Sequence, residues 1–434
     1  MKVETKDISI LLLTDQIGSK GNAGILAYDY YKAFKNAGYK IDILTSYQVD
    51  IPEPHFFVFK KLNSLRSFLK RVRGKIERTF TTWHPDESYY IRFKDEQKPP
   101  ISVAKVINKV SAHYDLILVV FWNDLVSFKT ILSLYYKTKA KFFFLSVDDS
   151  TMTGGCHYMG DCKSLKNMCK NCPAVKGKQM YKNMQYRLEV NRIVKPEYFT
   201  NSFCASYLKC SPLVVGKKIH QLYPVIDENL FKPSNDVSQL RLKYGISRHY
   251  DFIMFAGAKN IDEPRKGIKY LEDALQVLAE LIPPQKKDRV LLLIAGDNHS
   301  NRPIRTPFDC LSLGMLDMFQ LSEVFALSSV FLSPSILDAG PMMVNQSLSC
   351  GTPVVAFKIG IALDVVDNKG GGFCANLKDS KDFAEGIYKL YSMSNDEYSV
   401  LRETCRKIAM ETTSTKTSVN YILDIFAETI GAMS

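Results

Sequence analysis

A strand-to-helix turn in the C-terminal half carries residues suited to holding an anion. Pro341 falls at the first position of the predicted helix, where its missing N–H costs nothing, so the N–H groups of Met342 and Met343 point out of the turn. A helix start of this kind attracts a phosphate. Asp338 and Gln346 lie eight residues apart, near the start and on the body of the helix, so both could contact one ligand. A well-capped core helix with ordinary termini is the alternative interpretation.

A basic turn precedes another predicted helix, which begins near Lys266 and Gly267. Arg265 and Lys266 would stand at the positive end of that helix dipole, where basic side chains are mildly unfavourable. This local cost favours an anionic ligand at the turn. A solvated basic helix start is the alternative.

Three glycines at a spacing of three, Gly18, Gly21 and Gly24, follow the first predicted strand and open a helix. Glycines let a backbone approach a ligand closely. The spacing is not the dinucleotide-binding fingerprint, and no acidic residue is placed to hold a ribose, so NAD binding is not predicted.

Four cysteines lie close together in a Gly- and Lys-rich insertion, residues 151–178, and have the spacing C-x5-C-x6-C-x2-C: Cys156, Cys162, Cys169 and Cys172. A C-x2-C pair is a strong half-site for tetrahedral zinc, and four thiolates would fold an insertion that has little to bury. We therefore predict a structural zinc, with His157 as a further candidate ligand. Reduced cysteines in a packed loop, or a pair of disulfides in an oxidising compartment, are the alternatives.

Residues 60–78 carry eight Lys or Arg side chains against one acid, with an apolar stripe at helical spacing. A basic amphipathic helix of this type can lie on an anionic bilayer. A helix whose stripe packs on the sheet is the alternative. Nucleic-acid binding is not predicted, because no recognised module or interleaved stacking aromatics accompany the charge.

Two series of alternating strands and helices must position these residues. Alternation of this kind predicts parallel sheets covered by helices, with the periodicity lapsing at residues 227–237. Two such sheets in tandem predict a cleft between domains, where ligands of open parallel sheets bind. The strands are predicted at 8–13, 41–45, 116–121, 142–147, near 198 and 219, and at 252–256, 290–295, 330–333 and 353–357.

The composition of the 434 residues is that of a globular protein, with 46% hydrophobic and 24% charged residues. The net charge of +12 suggests an anionic partner such as a phosphorylated small molecule or a membrane surface. No apolar stretch approaches the roughly 18 residues of a spanning helix. The N-terminus reads as a strand and not as a secretory signal, so we expect a cytoplasmic protein.

The C-terminal motifs resemble the donor site of family 4 retaining glycosyltransferases of the GT-B fold. The resemblance rests on DAGPMMVNQ followed by CGTPVV, on the RKG turn and on the TGGCHY insertion. It implies that Asp338 contacts the donor sugar, that Gln346 holds the ribose hydroxyls and that Lys266, with Arg265, stabilises the departing diphosphate. The turn that would hold the diphosphate comprises Gly340, Pro341, Met342 and Met343.

This sequence departs from the family's pattern at several positions. Asp338 and Gln346 stand where the family has Glu, and Ala258 stands where an Arg is common. Val147 replaces a His that commonly precedes the acid conserved here as Asp148. By the same resemblance, Asp148 would position an acceptor hydroxyl or balance charge, although an Asp that caps a turn is the alternative. The loop with Gly21 and Gly24 would reach the donor phosphates.

The resemblance implies an α/β protein of the GT-B fold, with two Rossmann-like domains whose parallel sheets face each other across a cleft. We expect an acceptor domain at 1–230, a nucleotide-sugar domain at 237–412 and a C-terminal helix at 413–434 that crosses back to the first domain. The expected enzyme moves a sugar from a nucleotide diphosphate sugar to a glycan or lipid-linked oligosaccharide with retention, in cell-surface polysaccharide synthesis, at the inner membrane face. No D-x-D triplet occurs, so we expect no cofactor for catalysis. A non-catalytic binding subunit and a GT-B-like nucleotide-sugar epimerase are the alternatives.

Overall fold

The structure is a computed structural model that describes residues 8–18, 22–49, 55–60, 90–91, 95–175, 177–297 and 302–431. These residues fall into two compact units. The first comprises the described residues up to Thr200, Cys204–Leu222 and the chain from Ser418 onward. The second comprises Asn201–Phe203 and Tyr223–Thr417.

The first unit contains a parallel sheet of seven described strands in the order β3-β2-β1-β5-β6-β8-β9, and β4 pairs antiparallel with β7. The strands are β1 (Ser9–Gly18), β2 (Lys40–Val49), β3 (Phe56–Lys60), β4 (Tyr90–Ile91), β5 (Leu116–Val119), β6 (Lys141–Leu145), β7 (Cys156–Tyr158), β8 (Glu197–Thr200) and β9 (Ile219–Gln221). Its helices are α1 (Asn22–Asn36), α2 (Val103–Lys109), α3 (Phe128–Thr138) and α4 (Gln179–Val194). Helix α5 (Ser202–Leu208) belongs to this unit from Cys204 onward. Short 3₁₀ turns lie at Asp149–Thr151 and Lys163–Asn167.

The second unit contains a parallel sheet of six described strands in the order β12-β11-β10-β13-β14-β15. The strands are β10 (Phe252–Asn260), β11 (Val290–Asp297), β12 (Asp309–Gly314), β13 (Val330–Ser333), β14 (Val354–Phe357) and β15 (Gly372–Ala375). The helices are α6 (Val237–Lys243), α7 (Ile268–Leu281), α8 (Met318–Leu327), α9 (Met342–Ser349), α10 (Ser380–Tyr391) and α11 (Asn395–Thr412). Short 3₁₀ turns lie at Pro264–Lys266 and Pro284–Arg289, and a π turn lies at Leu363–Asp367.

The central strands of both sheets form from continuous apolar runs that are buried on two faces. Every residue of β5 is buried, as parallel strands covered by helices on both sides require. In the second unit, Phe255 and Leu293 belong to one buried cluster, whereas Met254 and Leu292 belong to another. Successive strand residues point to opposite faces, so helices cover the sheet on both sides.

The last helix, α12 (Thr415–Gly431), packs against the first sheet from Ser418 onward. Its Phe426 ring lies 6.4 Å from the ring of Phe143 in β6. The hydroxyl of Thr429 donates to Oε1 of Glu197 at 2.9 Å, and Lys141 lies 3.0 Å from the same oxygen. The helix is therefore held by both apolar and polar contacts.

The predicted fold class is confirmed, because each unit is a parallel α/β sheet of the Rossmann-like type. Among the described helices, none has the length and apolar character needed to cross a bilayer.

Candidate active site

The helix start that the sequence predicts as an anion site is the turn between β13 and α9 in the second unit. Pro341 lies directly before the helix, one position earlier than the sequence analysis placed it, and the helix begins at Met342. Among the described residues, no side chain caps this helix start. The first N–H groups of α9 are therefore not satisfied by a capping side chain, which leaves them suited to an anionic ligand.

Asp338 joins this turn to the basic turn before α7. Its Oδ2 lies 2.7 Å from Nζ of Lys266 and 3.0 Å from Nη1 of Arg265, and its Oδ1 accepts the N–H of Gly340 at 3.1 Å. Arg265 is also paired with Glu263 through two bonds of 2.6 and 3.0 Å. The structure thus brings together the two cations and the acid that the sequence predicts for the donor site.

The electrostatics of this network keep Asp338 ionised. Burial alone would raise the pKa of its carboxyl, but the charges of Lys266 and Arg265 and the bonds from Lys266 and Gly340 outweigh burial and lower it. The side chain is only 8% exposed. Asp338 is therefore suited to anchoring cations and accepting hydrogen bonds, and not to donating a proton.

Gly267 explains why the basic turn can lie so close to the end of β13. It adopts φ of +71°, and a Cβ at this position would lie 1.9 Å from the carbonyl oxygen of Pro334. The carbonyl of Arg265 also accepts the N–H of Ile336 at 2.8 Å. Backbone contacts therefore fix Lys266 beside the turn that precedes α9.

A second close approach lies at the carboxyl ends of the central strands. A Cβ on Gly257 would lie 2.9 Å from the carbonyl oxygen of Ala295 and 3.3 Å from Cε of Met343. Gly257 therefore leaves room for the Ala295 carbonyl of β11 and for the Met343 side chain from the first turn of α9. Ligands of open parallel sheets bind at this edge.

Gln346, the residue predicted to hold ribose, is buried in α9 and only 3% exposed. Its Nε2 lies 3.8 Å from Sδ of Met318. Sulfur is a weak acceptor, so this amide keeps hydrogen-bonding capacity that a ligand could use.

The glycine loop of the first unit is described only in part. Gly21 lies outside the described residues, and Gly24 is buried in α1. A Cβ on Gly24 would lie 3.3 Å from the backbone nitrogen of Gly18. Gly24 therefore lets α1 start close to the end of β1.

Asp148 follows β6 in the first unit and makes two kinds of contact. Its Oδ1 accepts the N–H of Ser150 at 2.8 Å and also the Ser150 hydroxyl, so it does cap a turn. Its Oδ2 lies 2.7 Å from Nδ1 of His157. Burial would raise the pKa of Asp148, but the hydrogen bonds that it accepts from His157 and Ser150 outweigh burial and lower the pKa.

Neither the pairing of Asp148 with His157 nor a role for Asp149 was predicted from the sequence. Asp149 accepts the hydroxyl of Tyr207 at 2.7 Å and the N–H of Met159 at 2.8 Å. Burial raises its pKa to about 6 despite those bonds. The motif Asp148-Asp149 and the CHY triplet were visible in the sequence, but neither shows which partner each carboxylate has.

The four cysteines of the insertion are free thiols. Burial, with the neighbouring cysteines, raises the pKa of Cys156, and burial raises the pKa of Cys169 to about 11. Within the described ranges, no group of three or more His, Cys, Asp or Glu side chains is arranged to hold a metal ion. Zinc binding by Cys156, Cys162, Cys169 and Cys172 stays a prediction.

The predicted membrane-binding segment at 60–78 lies outside the described residues, apart from the backbone of Lys60 at the end of β3. Its role stays a prediction.

Comparison with known proteins finds a family-model match within the second unit. Residues 252–409 match the family model described as "Glycosyl transferases group 1". D-inositol 3-phosphate glycosyltransferase of Thermomonospora curvata is 25% identical over 183 residues, which are 38% of this chain and 42% of that protein. N-acetyl-alpha-D-glucosaminyl L-malate synthase of Bacillus anthracis is 24% identical over 182 residues, 40% of this chain and 45% of that protein. The chain thus spans about half the length, or less, of these curated relatives.

Solved structures match the whole fold. Sucrose-phosphate synthase of Thermosynechococcus elongatus aligns with a TM-score of 0.62 and 15% identity, covering 98% of this chain and 100% of that one. HepE of Anabaena in complex with UDP-glucose aligns with a TM-score of 0.59 and 17% identity, covering 98% and 99%. The fold is therefore that of the GT-B class, and residues 252–409 are similar to the glycosyl transferases group 1 model.

Proposed function

We propose that this protein transfers a sugar from a nucleotide diphosphate sugar to a glycan or lipid-linked glycan, with retention of configuration. The observation that carries the proposal is the meeting of Lys266, Arg265 and Asp338 beside the uncapped start of α9. The family match of residues 252–409 supports the same reaction class. HepE, which shares the fold, is described in complex with UDP and UDP-glucose.

The donor diphosphate would lie at the start of α9, on the N–H groups of Met342 and Met343. Lys266 has three N–H donors, and one of them is used by Asp338 in the described contacts. The others can reach a phosphate while Asp338 holds the ammonium in place. A fixed ammonium stabilises the negative charge that develops as the nucleoside diphosphate leaves.

In this reaction the bond from the anomeric carbon to the phosphate oxygen breaks, and a bond to the acceptor oxygen forms on the same face. The acceptor proton passes to the departing phosphate oxygen. Gln346 would contact the ribose, and Asp148 would act in the acceptor region. We assign the acceptor to the region up to residue 230 and the donor to residues 237–412.

A non-catalytic sugar-nucleotide-binding subunit is the second candidate. It is favoured by Gln346, which is uncharged and buried where the resembled family has a Glu. An amide lacks the charge-assisted strength of a carboxylate toward a hydroxyl. An epimerase with the same architecture would also bind the donor but would release free sugar.

The first experiment is a thermal-shift panel on the full chain with UDP-, GDP- and ADP-glucose, because a ligand bound only by the native state raises the melting temperature. The stabilising donor is then incubated with glycan acceptors while nucleoside diphosphate release and the product's anomeric configuration are followed. Transfer with retention supports the proposal. Donor binding without release identifies the binding subunit, and release of free sugar without an acceptor identifies the epimerase.

We propose polysaccharide assembly at an anionic membrane surface as the setting, supported by the basic composition of residues 60–78. Co-sedimentation with phosphatidylglycerol vesicles tests the membrane contact, with phosphatidylcholine vesicles as the control. Equal binding to both lipids, or to neither, would contradict it.

A further inference from the structure

The imidazole of His157 is the accessible end of a buried acid–imidazole pair in the first unit. Asp148 is only 3% exposed, whereas the side chain of His157 is 24% exposed. Nδ1 of His157 lies 2.7 Å from Oδ2 of Asp148. The pair therefore has a fixed inner end and an outer end that solvent can reach.

The carboxylate sets the orientation of the ring. An ionised Asp148 can only accept hydrogen bonds, so Nδ1 carries the proton that it receives. In the neutral ring the lone pair then lies on Nε2. The Tyr158 ring packs beside the imidazole with centroids 4.4 Å apart, which further restricts the ring.

No residue in the described part of the chain hydrogen-bonds to Nε2 of His157. An acceptor nitrogen held in one direction, with no protein donor, is suited to a ligand hydroxyl.

Hydrogen bonds from α4 fix the backbone between Asp148 and His157. Arg187, which is 1% exposed, donates to the carbonyl of Ser150 at 2.7 Å and also to the carbonyl of Thr153. Its other donors are fixed by Glu96 at 2.9 and 2.6 Å. These contacts lie on the segment between Asp148 and His157, so the pair is preorganised before any ligand arrives.

Gly154 allows the backbone between Asp148 and His157 to pack closely against α4. A Cβ at this position would lie 2.8 Å from the carbonyl oxygen of Met180, and the Gly154 carbonyl accepts Nδ2 of Asn183 at 2.9 Å. The TGG triplet therefore serves close packing on α4.

We propose that His157 binds a hydroxyl group of the carbohydrate acceptor through Nε2, with Asp148 as the positioning residue that orients the ring. This inference rests on the proposed function and names the substrate contact in the acceptor region. The hydroxyl keeps its proton and donates it in the hydrogen bond, so His157 enters no bond-making step.

Two substitutions separate the two ring nitrogens. In His157→Asn, the amide nitrogen can replace Nδ1 and keep the bond to Asp148, but nothing replaces Nε2. In His157→Gln, the longer amide can replace Nε2 but not Nδ1. His113→Asn, at an exposed position of the same unit, is the control.

We expect His157→Asn to keep the melting temperature and the donor dissociation constant of the wild type while raising the acceptor KM about tenfold, the effect of one lost hydrogen bond. His157→Gln should recover part of that loss, and His113→Asn should behave as the wild type. An unchanged acceptor KM in His157→Asn, with wild-type transfer intact, overturns the inference and leaves the proposed function standing.

A second measurement does not need turnover. The ¹⁵N resonances of the His157 ring, assigned by their loss in His157→Asn, are followed during titration with methyl glycosides of glucose, galactose, mannose and N-acetylglucosamine. We expect a protonated Nδ1 and a glycoside-dependent shift at Nε2. A ring with the proton on Nε2, or no shift with any glycoside, overturns the inference even if the protein proves to have no transferase activity.

Discussion

Lys266 and Asp338 form an ion pair of 2.7 Å that joins two turns of the second unit, 72 positions apart in the chain. Arg265 approaches the same carboxylate oxygen at 3.0 Å, while the other oxygen accepts the N–H of Gly340. One buried carboxylate therefore ties both cations to the turn that begins α9. This relationship makes the cationic turn and the helix start a single site.

Removing the Lys266 ammonium should weaken donor binding. We expect Lys266→Ala to lower affinity for the stabilising nucleotide sugar by about tenfold to hundredfold, because a charge-assisted hydrogen bond contributes about 1.5–3 kcal/mol. Isothermal titration calorimetry measures this change. The control is Lys269→Ala, which removes an exposed lysine from the first turn of α7, shortly after the basic turn. Equal affinity in the wild type and Lys266→Ala would remove Lys266 from the diphosphate site.

Gly267 should be the least replaceable glycine of this site. Gly267→Ala places a methyl group 1.9 Å from the Pro334 carbonyl oxygen at φ of +71°, so we expect a loss of about 3 kcal/mol or more of unfolding free energy. Gly245→Ala is the matched control, because Gly245 has φ of +65° with open space around it. That variant should lose only about 1 kcal/mol, from the left-handed backbone alone. Urea unfolding of both variants measures the two values, and equal losses would show that the contact with Pro334 is unimportant.

The parts of this structure that local sequence predicts are the buried strands and the helix starts. Continuous apolar runs predicted β5 and β10, and proline and glycine marked the turn before α9 to within one residue. Strands β3, β4, β7, β12 and β15 were not predicted. These strands lie at or next to sheet edges, and β12 has no fully buried residue, so it lacks the apolar run that reveals a central strand.

The partners of side chains that pair through the tertiary fold were also not predicted from the sequence. Arg187 binds Glu96 across 91 positions, and no local pattern connects an arginine in the middle of α4 with that acid. Asp148 was predicted as a site residue, but its bond to His157 depends on how the insertion folds back after β6. Types and spacing identify candidate groups, whereas tertiary packing decides their partners.

Asn345 in α9 should be a site where an apolar side chain stabilises the protein. It is 1% exposed, and neither its Nδ2 nor its Oδ1 has a hydrogen-bond partner among the described residues. Leucine has the same branching without polar atoms, so we expect Asn345→Leu to raise the unfolding free energy by about 1 kcal/mol.

The matched control for Asn345 is Asn183→Leu in α4. Asn183 is equally buried, but its Nδ2 donates to Gly154 and its Oδ1 accepts from Gln179 at 3.0 Å. This substitution should destabilise the protein because it leaves the Gly154 carbonyl without that donor. Chemical denaturation should give opposite signs for the two variants. A lower unfolding free energy in Asn345→Leu would contradict this prediction. It would show that the contacts of the Asn345 amide stabilise the protein by more than the burial of the amide destabilises it.

Asp149 should make the protein less stable as the pH rises toward neutrality. Burial raises its pKa to about 6 from an ordinary value of 3.8, so the folded state holds a proton that the unfolded chain has lost. Where the folded state binds more protons, stability falls with rising pH, here between about pH 4 and pH 6. A shift of this size corresponds to about 3 kcal/mol.

Asp149→Asn removes this titration and can still accept the Met159 N–H while its amide donates to Tyr207. Urea unfolding between pH 4.5 and 8 should therefore show the variant gaining stability over the wild type as the pH rises, with the difference level above about pH 7. Asp161→Asn, at an exposed position of the insertion that follows Asp149, should follow the wild-type curve. The test is whether the difference in unfolding free energy between Asp149→Asn and the wild type changes with pH. Parallel curves for the wild type and Asp149→Asn would show that this carboxyl titrates normally in the folded protein.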